Sequence, residues 1–598
     1  MSKNIRNLAI IAHIDHGKST LSDRIIEATN TISSREMEDQ ILDDLQVERD
    51  HGVTVKARAI QNTYLADNNE KYEINLIDTP GHVDFQDEVT KSLTASDNAI
   101  LLIDATQGIE AQTLANLRIG KKLGVKILPV INKVDIAGIN THKIETEIKT
   151  LCPEYQNRDI LKISAKTGVG IHELMETVVL NLLPPAGNDK KKLSALVFDS
   201  YYDPFQGVIL YIRIVDGILK NNQKLMFLSK NITFQIHELG IFTTIRMPKS
   251  QLKSGEVGYL ITGIKNVDTS YVGETITDAN APTNSLLPTI KMSQVTVFAG
   301  IYPLGDYKLL AKALKQLKLN DSSLSIKEEY SNALGMGFRV GLLGIFHLQI
   351  IKERLKKEFL IDVLITYPNV PYRVYLKNNE NVTIVNPATF PNFEMIDHVD
   401  EIIIKATIIT PQKTINAVMK LLSENRGEFI GIDNHSDLVS LSYRVPLSKI
   451  IYSFFNKLKS ISHGYASLAT TSIGYYRTNV VRLDIYINYV RVDELTSITY
   501  KSESESIAQK IVHQLKYTIP KRLYPLPVQV MMEGKVIARV DVPPLRKNAA
   551  VSGKNNSISK QQELLRRQNI NQRKAASNDI ELPQKVFSTM FKIEDEEL

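Results

Sequence analysis

The sequence predicts a multidomain α/β and β protein: a doubly wound α/β domain, a β-barrel, two ferredoxin-like α+β domains and a distinctive C-terminal domain. Three observations carry that expectation. Short apolar runs alternate with helical patterns over residues 1–185, which reads as a mostly parallel sheet with helices on its faces. A texture of strands alone follows over 190–285. Beyond it the order strand, helix, strand, strand, helix, strand occurs twice, over 290–370 and 398–485, and leaves 486–598 as a unit of its own.

In the first domain strands are read at Leu8–Ala12, Ile74–Ile77, Ile100–Ile103, Ile127–Ile131 and Leu161–Ile163. Helical periods lie at Leu21–Thr29, Thr113–Leu123 and Ile171–Leu182. Pro184-Pro185-Ala186-Gly187, followed by three lysines, closes the domain. Turn signals at Asp216-Gly217, Asn221-Asn222, Ser254-Gly255 and Val272-Gly273 then separate β-branched and aromatic strands, as in a small antiparallel barrel. The first βαββαβ block takes its helices from Tyr307–Leu317 and Phe346–Phe359, and the second from Thr414–Asn425 and Ile450–Ile461. The last domain opens with strands around Val481–Ile487 and a helix over Ser506–Tyr517.

Composition narrows the class. With 598 residues, 43% hydrophobic and 23% charged, and with 29 Gly and 22 Pro, the chain is neither collagen-like nor globally disordered. The single cysteine, Cys152, excludes an intrachain disulfide and fits a reducing compartment. Apolar runs are strand-sized and the N-terminus carries no signal core, so a soluble, cytoplasmic protein is expected. Net charge is +6, yet the segment from Arg546 to Lys574 alone carries +7. Such a basic block points to a polyanion partner, nucleic acid before membrane.

The chemistry lies at strand ends. Ala12-His13-Ile14-Asp15-His16-Gly17-Lys18-Ser19-Thr20 matches the phosphate loop G-x-x-x-x-G-K-[ST], with Ala12 in place of the first glycine. Gly17 lets the backbone wrap a phosphate, and the N–H groups from Asp15 through His16 to Thr20 converge at a helix N-terminus. Lys18 reaches the terminal phosphates, and the Ser19 hydroxyl suits Mg²⁺. In Asp78-Thr79-Pro80-Gly81-His82, Asp78 holds the metal through water and the Gly81 N–H senses a γ-phosphate. In Asn132-Lys133-Val134-Asp135 the carboxylate accepts from the N1 and N2 edge of guanine, which adenine lacks. Ser164-Ala165-Lys166 presents backbone amides to guanine O6. Each motif alone also reads as an ordinary turn. Four in this order, each at the C-terminal end of a strand, define a guanine-nucleotide site. Thr54, after the charged segment 48–53, is a magnesium ligand or a plain strand opener. His82 positions the attacking water, where Ras-type enzymes use Gln, or is idle in solvent.

Residues 12–20, 78–85 and 132–135 together resemble the translational GTPases. The runs Ala333-Leu334-Gly335-Met336-Gly337-Phe338-Arg339 and Gly464-Tyr465-Ala466-Ser467-Leu468, with Arg546-Lys547, are similar to the elongation factor 4 (LepA) family within that group. The resemblance spans the chain and implies GTP or GDP with Mg²⁺ as ligands, with Ser19 and Thr54 on the metal. It implies that His82 is set in place by rRNA of the 70S ribosome and shielded by Ile14 and Val53 until then. It further implies a C-terminal domain reaching tRNA, back-translocation of elongating ribosomes, and peripheral association with the cytoplasmic face of the membrane. A monomer is expected. His51 and His463 stand where the family usually has Arg, and 552–562 is less basic than the family pattern, which bears on RNA contact. Two alternatives stay open: a regulatory, membrane-associated GTP-binding module, and another translation factor such as BipA.

Overall fold

The computed structural model describes residues 3–545 apart from 14, 32–47, 49–53, 55–57, 81–84, 204, 244, 265–270, 289–294, 322, 332–333, 436–437, 452–453, 463–465 and 523–524. Beyond 545 it describes Pro583, Val586 and Phe587. The basic block 546–574 therefore lies outside the described residues, as do Ile14, His51, Val53, Gly81, His82 and His463.

The first sheet has the strand order Arg58–Leu65, Lys71–Asp78, Ile5–Ala12, Asn98–Asp104, Lys126–Asn132, Leu161–Lys162. All neighbours pair in parallel except the first two, which form an antiparallel hairpin. The central strands Ile5–Ala12 and Asn98–Asp104 are buried along their whole length. That is why they read as unbroken apolar runs rather than as alternation. Because the strands run the same way, their C-terminal ends gather on one edge, where the four motifs sit. Structure adds elements the apolar pattern did not reveal: the edge strand Arg58–Leu65 and the helices Gln86–Ala95 and His142–Leu151.

The second domain is an eight-stranded antiparallel sheet around Leu210, Ile212, Leu225, Phe227, Leu239 and Leu260, with a small two-stranded flap. The third places Ser325–Ser331, Gly335–Leu342, Val297–Pro303 and Val363–Ile365 side by side, with the helices Tyr307–Asn320 and Ile345–Phe359 packed on one core. Numbered along the domain, that order is 2-3-1-4, the split ferredoxin-like plan. The same order recurs with Glu428–His435, Leu438–Pro446, Ile396–Pro411 and Ser467–Thr478. Here the first strand runs for 16 residues, and its N-terminal half also pairs with Tyr372–Leu376, so the segment between the two blocks is hydrogen-bonded onto the second sheet. The helical span read at 450–461 is observed as Leu447–Ile450 and Phe454–Ile461. The last domain packs the helix Ser504–Thr518 on a five-stranded sheet.

The first domain is held by the others through specific contacts. Ile77 and Ala95 share a small core with Phe198 and Val257 of the barrel. Arg213 of the barrel is paired with Asp97. Phe85 packs with Phe346 and Ile350 of the third domain. The helix Ala111–Lys122 lies against the strands Ile396–Pro411 and Ser467–Thr478 of the second ferredoxin-like sheet.

Candidate functional site

The phosphate loop leaves the strand Ile5–Ala12 and enters the helix Lys18–Ala28 at Gly17, whose φ is +91°. Asp15, two residues earlier, has φ +63°. Backbone turned into the left-handed region at both positions gathers N–H groups into a concave nest at the start of a helix, which carries partial positive charge. Side-chain bulk is excluded at Gly17: a Cβ there would stand 2.5 Å from Asn132 Nδ2. Ser19 is half-buried at the helix start and Thr20 is exposed.

Lys18, Thr54 and Asp78 come together in the interior although 60 residues separate the first from the last. Lys18 Nζ lies 2.6 Å from Thr54 Oγ1 and 2.7 Å from Asp78 Oδ2. Thr54 Oγ1 donates to Asp78 Oδ2 at 3.4 Å, and Ser22 Oγ to Asp78 Oδ1 at 3.3 Å. All of these side chains are buried. A hydroxyl and a carboxylate on one buried point form a set of hard oxygens, the donor chemistry that Mg²⁺ selects. Ser19 lies one residue from Lys18 at the same helix start. The residues present fit a magnesium–phosphate group.

Asn132 ties the base side to the phosphate side. Its Nδ2 donates to the His16 carbonyl and its Oδ1 accepts the Ala165 N–H, each at 2.9 Å. Lys133, at φ +63°, reaches Asp15 O at 2.6 Å and Asp104 Oδ2 at 2.7 Å. Val134 packs against the core of the domain. Asp135 is exposed, and one carboxylate oxygen accepts from Ser164 Oγ at 2.7 Å. The same hydroxyl accepts the Thr167 N–H at 3.1 Å, which orders the turn through Ala165 and Lys166. The three loops carrying Asp15 to Thr20, Asn132 to Asp135 and Ser164 to Lys166 thus form one hydrogen-bonded unit.

His16 is used differently from its neighbours. Its ring is fully buried, and Nδ1 lies 3.3 Å from both the Asp104 nitrogen and the Leu102 carbonyl oxygen. Burial and the nearby His13 push it below the usual histidine range, so the ring is neutral and pins the loop to the adjacent strand. Asp104 and Arg24 lie outside the motifs, and His13 lies inside the phosphate loop, where the motif gives it no role. Asp104 ends a buried strand beside Lys133; burial would raise its carboxyl, but Lys133 and the Thr106 N–H and hydroxyl outweigh that and hold it below the usual range. Its place at a strand's C-terminal end was the available signal. Arg24 donates to the carbonyls of Ala165 and Lys166 from the helix after the phosphate loop. His13 lies 2.6 Å from Glu110.

Four family profiles match the chain: the elongation factor Tu GTP binding domain over 3–184, elongation factor Tu domain 2 over 207–277, the elongation factor G C-terminus over 399–485 and the GTP-binding protein LepA C-terminus over 487–592. With the four loops above, they define a translational GTPase, a GTP-binding hydrolase of the translation-factor class. The chain is 48% identical to elongation factor 4 2 of Lactiplantibacillus plantarum over 591 residues, covering 99% of both proteins. It is 42% identical to elongation factor 4 of Geobacillus thermodenitrificans and 41% to that of Staphylococcus haemolyticus, covering 99% of this chain and 98% of each relative. It belongs to the elongation factor 4 family. A crystal structure from Thermus thermophilus shares the fold over 80% of this chain and 98% of its own length, with a TM-score of 0.59 at 16% identity.

Proposed function

We propose that this translation factor hydrolyses GTP on elongating 70S ribosomes, with Asp15 to Thr20 and the Gly81 N–H on the phosphates and Asn132 to Asp135 with Ser164 to Lys166 on guanine. The observation that carries the reading is the buried meeting of Lys18, Thr54 and Asp78 beside loops tied through Asn132. Ser19, Thr54 and Asp78 are the residues suited to hold Mg²⁺, which when bound offsets phosphate charge. Lys18 adds a cation where charge develops on the terminal phosphate. Asp135 keeps one oxygen engaged by Ser164, which orients the carboxylate toward the base. His82 sets the attacking water in line, and phosphoryl transfer depends on that positioning, so the free protein is slow.

Ordering of the segment around Thr54 by GTP favours the ribosome-bound form, and hydrolysis releases it. We assign the functional units to 1–185, 190–285, 290–370, 398–485 and 486–598, the last contacting tRNA through its basic block. The direction of action is back-translocation, carried out by a monomer in the cytoplasm with peripheral contact to the inner membrane face.

Steady-state GTP hydrolysis with and without bacterial 70S ribosomes tests the proposal. Strong stimulation in wild type, lost in His82→Ala while GTP and ribosome binding persist, is the expected result. Equal stimulated rates in the two proteins remove His82 from the mechanism. Asp135→Asn should shift preference from guanine to xanthine nucleotides; unchanged GTP preference contradicts the base assignment. Absence of stimulation with GTP still bound, together with strong flotation on anionic vesicles, would point instead to a membrane-linked regulatory module.

A further inference from the structure

Lys91, on the helix Gln86–Ala95, stands where three domains meet. Its side chain is only 3% exposed and is paired with Glu88 of the same helix. Burial alone would push the ammonium down, but Glu88, Asp199 of the barrel strand Ser194–Asp203 and Asp321 of the third domain hold it above the usual lysine range. Asp321 closes the helix Tyr307–Asn320. One of its oxygens accepts the Ser323 N–H at 3.0 Å, and the other lies 2.8 Å from His347 Nε2. His347 Nδ1 accepts the Leu343 N–H at 3.3 Å, so the proton sits on Nε2 and points at Asp321. The His347 ring, 1% exposed, meets Phe85 edge-on with centroids 5.8 Å apart, and Phe346 meets Phe85 at 6.1 Å.

Phe85 therefore fastens the start of this helix to the third domain by ring edges, and the strand Ser194–Asp203 lies against both this helix and the helix Tyr307–Asn320 that Asp321 closes. Phe85 directly follows the segment 81–84 that carries His82. The His347–Asp321 hydrogen bond lies within the third domain and fixes the orientation of the ring that meets Phe85.

We propose that Asp321 and His347 are positioning residues for GTP hydrolysis, clamping the helix that follows His82 so that the catalytic segment is delivered in one register. The inference rests on the reading of His82 as the water-positioning group. Both residues lie in the third domain, away from the loops that hold base and phosphate, so their effect falls on turnover and not on nucleotide affinity.

The test uses full-length protein and 70S ribosomes, with kcat and the KM for ribosomes measured beside the affinity for fluorescent GDP and GTP. Displacing a catalytic group by about 1 Å costs on the order of 10- to 100-fold, so Asp321→Asn and His347→Ala should lower stimulated kcat by about tenfold or more. KM and nucleotide affinity should stay near wild type. His347→Gln keeps a donor for Asp321 but loses the ring edge against Phe85, so it should recover only part of the rate lost in His347→Ala. A raised KM with kcat unchanged, or wild-type kcat in all three, overturns the proposal. If His347→Ala does not fold, Phe346→Leu keeps an apolar side chain and removes the ring edge from Phe85. It should lower kcat at constant KM, and wild-type kcat there also overturns the proposal. His82→Ala in the same assay separates the two levels. Retained stimulation in His82→Ala sinks the parent reading, and its loss beside unaffected clamp variants sinks this inference alone.

Discussion

Replacing Asn132 by Ala removes a side chain that joins three loops before any nucleotide arrives. The amide leaves two partners behind, the His16 carbonyl and the Ala165 N–H, both in buried residues. Each orphaned buried group costs about 1–3 kcal/mol, so the pair costs about 2–6 kcal/mol. Part of that is absorbed as loop relaxation in the nucleotide-free protein, and the remainder appears as lost affinity. Even 2 kcal/mol corresponds to about thirtyfold in Kd. The broken contacts are within the protein and do not involve the terminal phosphate, so GDP and GTP should weaken by the same factor. Asn132→Asp keeps the acceptor for Ala165 but turns a carboxylate oxygen toward the His16 carbonyl, and it should be no milder. Equilibrium titration with fluorescent GDP and GTP measures both losses. Undiminished affinity for both, or a loss confined to GTP, would refute the coupling of the loops.

Three further outcomes follow from single features. Gly17→Ala places a Cβ against Asn132 Nδ2 and holds a non-glycine residue at φ +91°, a strain of about 1–2 kcal/mol before the clash, so nucleotide titration should show near-complete loss of binding. His16 is held neutral in the fold, with its pKa below the unfolded value of 6.5, so the unfolded chain takes up a proton that the folded ring refuses. Its contribution to stability is complete above about pH 6.5 and declines as pH falls below that value; denaturant midpoints at pH 7.5 and 5.5 should differ less in His16→Gln than in wild type. Deleting 546–598 should flatten the salt dependence of ribosome binding if the basic block neutralises RNA phosphates; an unchanged slope would mark it as a solvated face.

The sheet that builds the site was legible because its strands are buried on both faces and therefore apolar throughout. The edge strand Arg58–Leu65 was not, since it carries polar Gln61 and Asn62 into the interior, where the Asn62 carbonyl accepts from Thr31. The helix Gln86–Ala95 escaped for a related reason: it buries Asp87, Lys91 and Ser92, and a periodicity search looks for apolar residues at such positions. Its core-facing side is completed by other domains, and no local window contains them. Within the site, the motifs announced their own residues but not the ties between them. Lys133 with Asp104, Asn132 with His16 and Arg24 with Ala165 are separated by tens to more than a hundred residues, and only the closed sheet makes them neighbours.

Those ties bear on how nucleotide state is communicated. The helix after the Asp78 motif is gripped by the barrel and the third domain, and the helix Ala111–Lys122 by the second ferredoxin-like sheet. Each helix follows directly from a strand whose C-terminal end lies at the phosphate site. Apolar contact is non-directional and yields gradually, so it holds domains together over a range of angles. The polar contacts Arg213–Asp97 and His347–Asp321 are directional and short-ranged, so each holds in one geometry. A shift of the helix Gln86–Ala95 would disturb apolar contacts with the barrel and the third domain at once. These contacts link two strand ends at the phosphate site to three other domains of the chain.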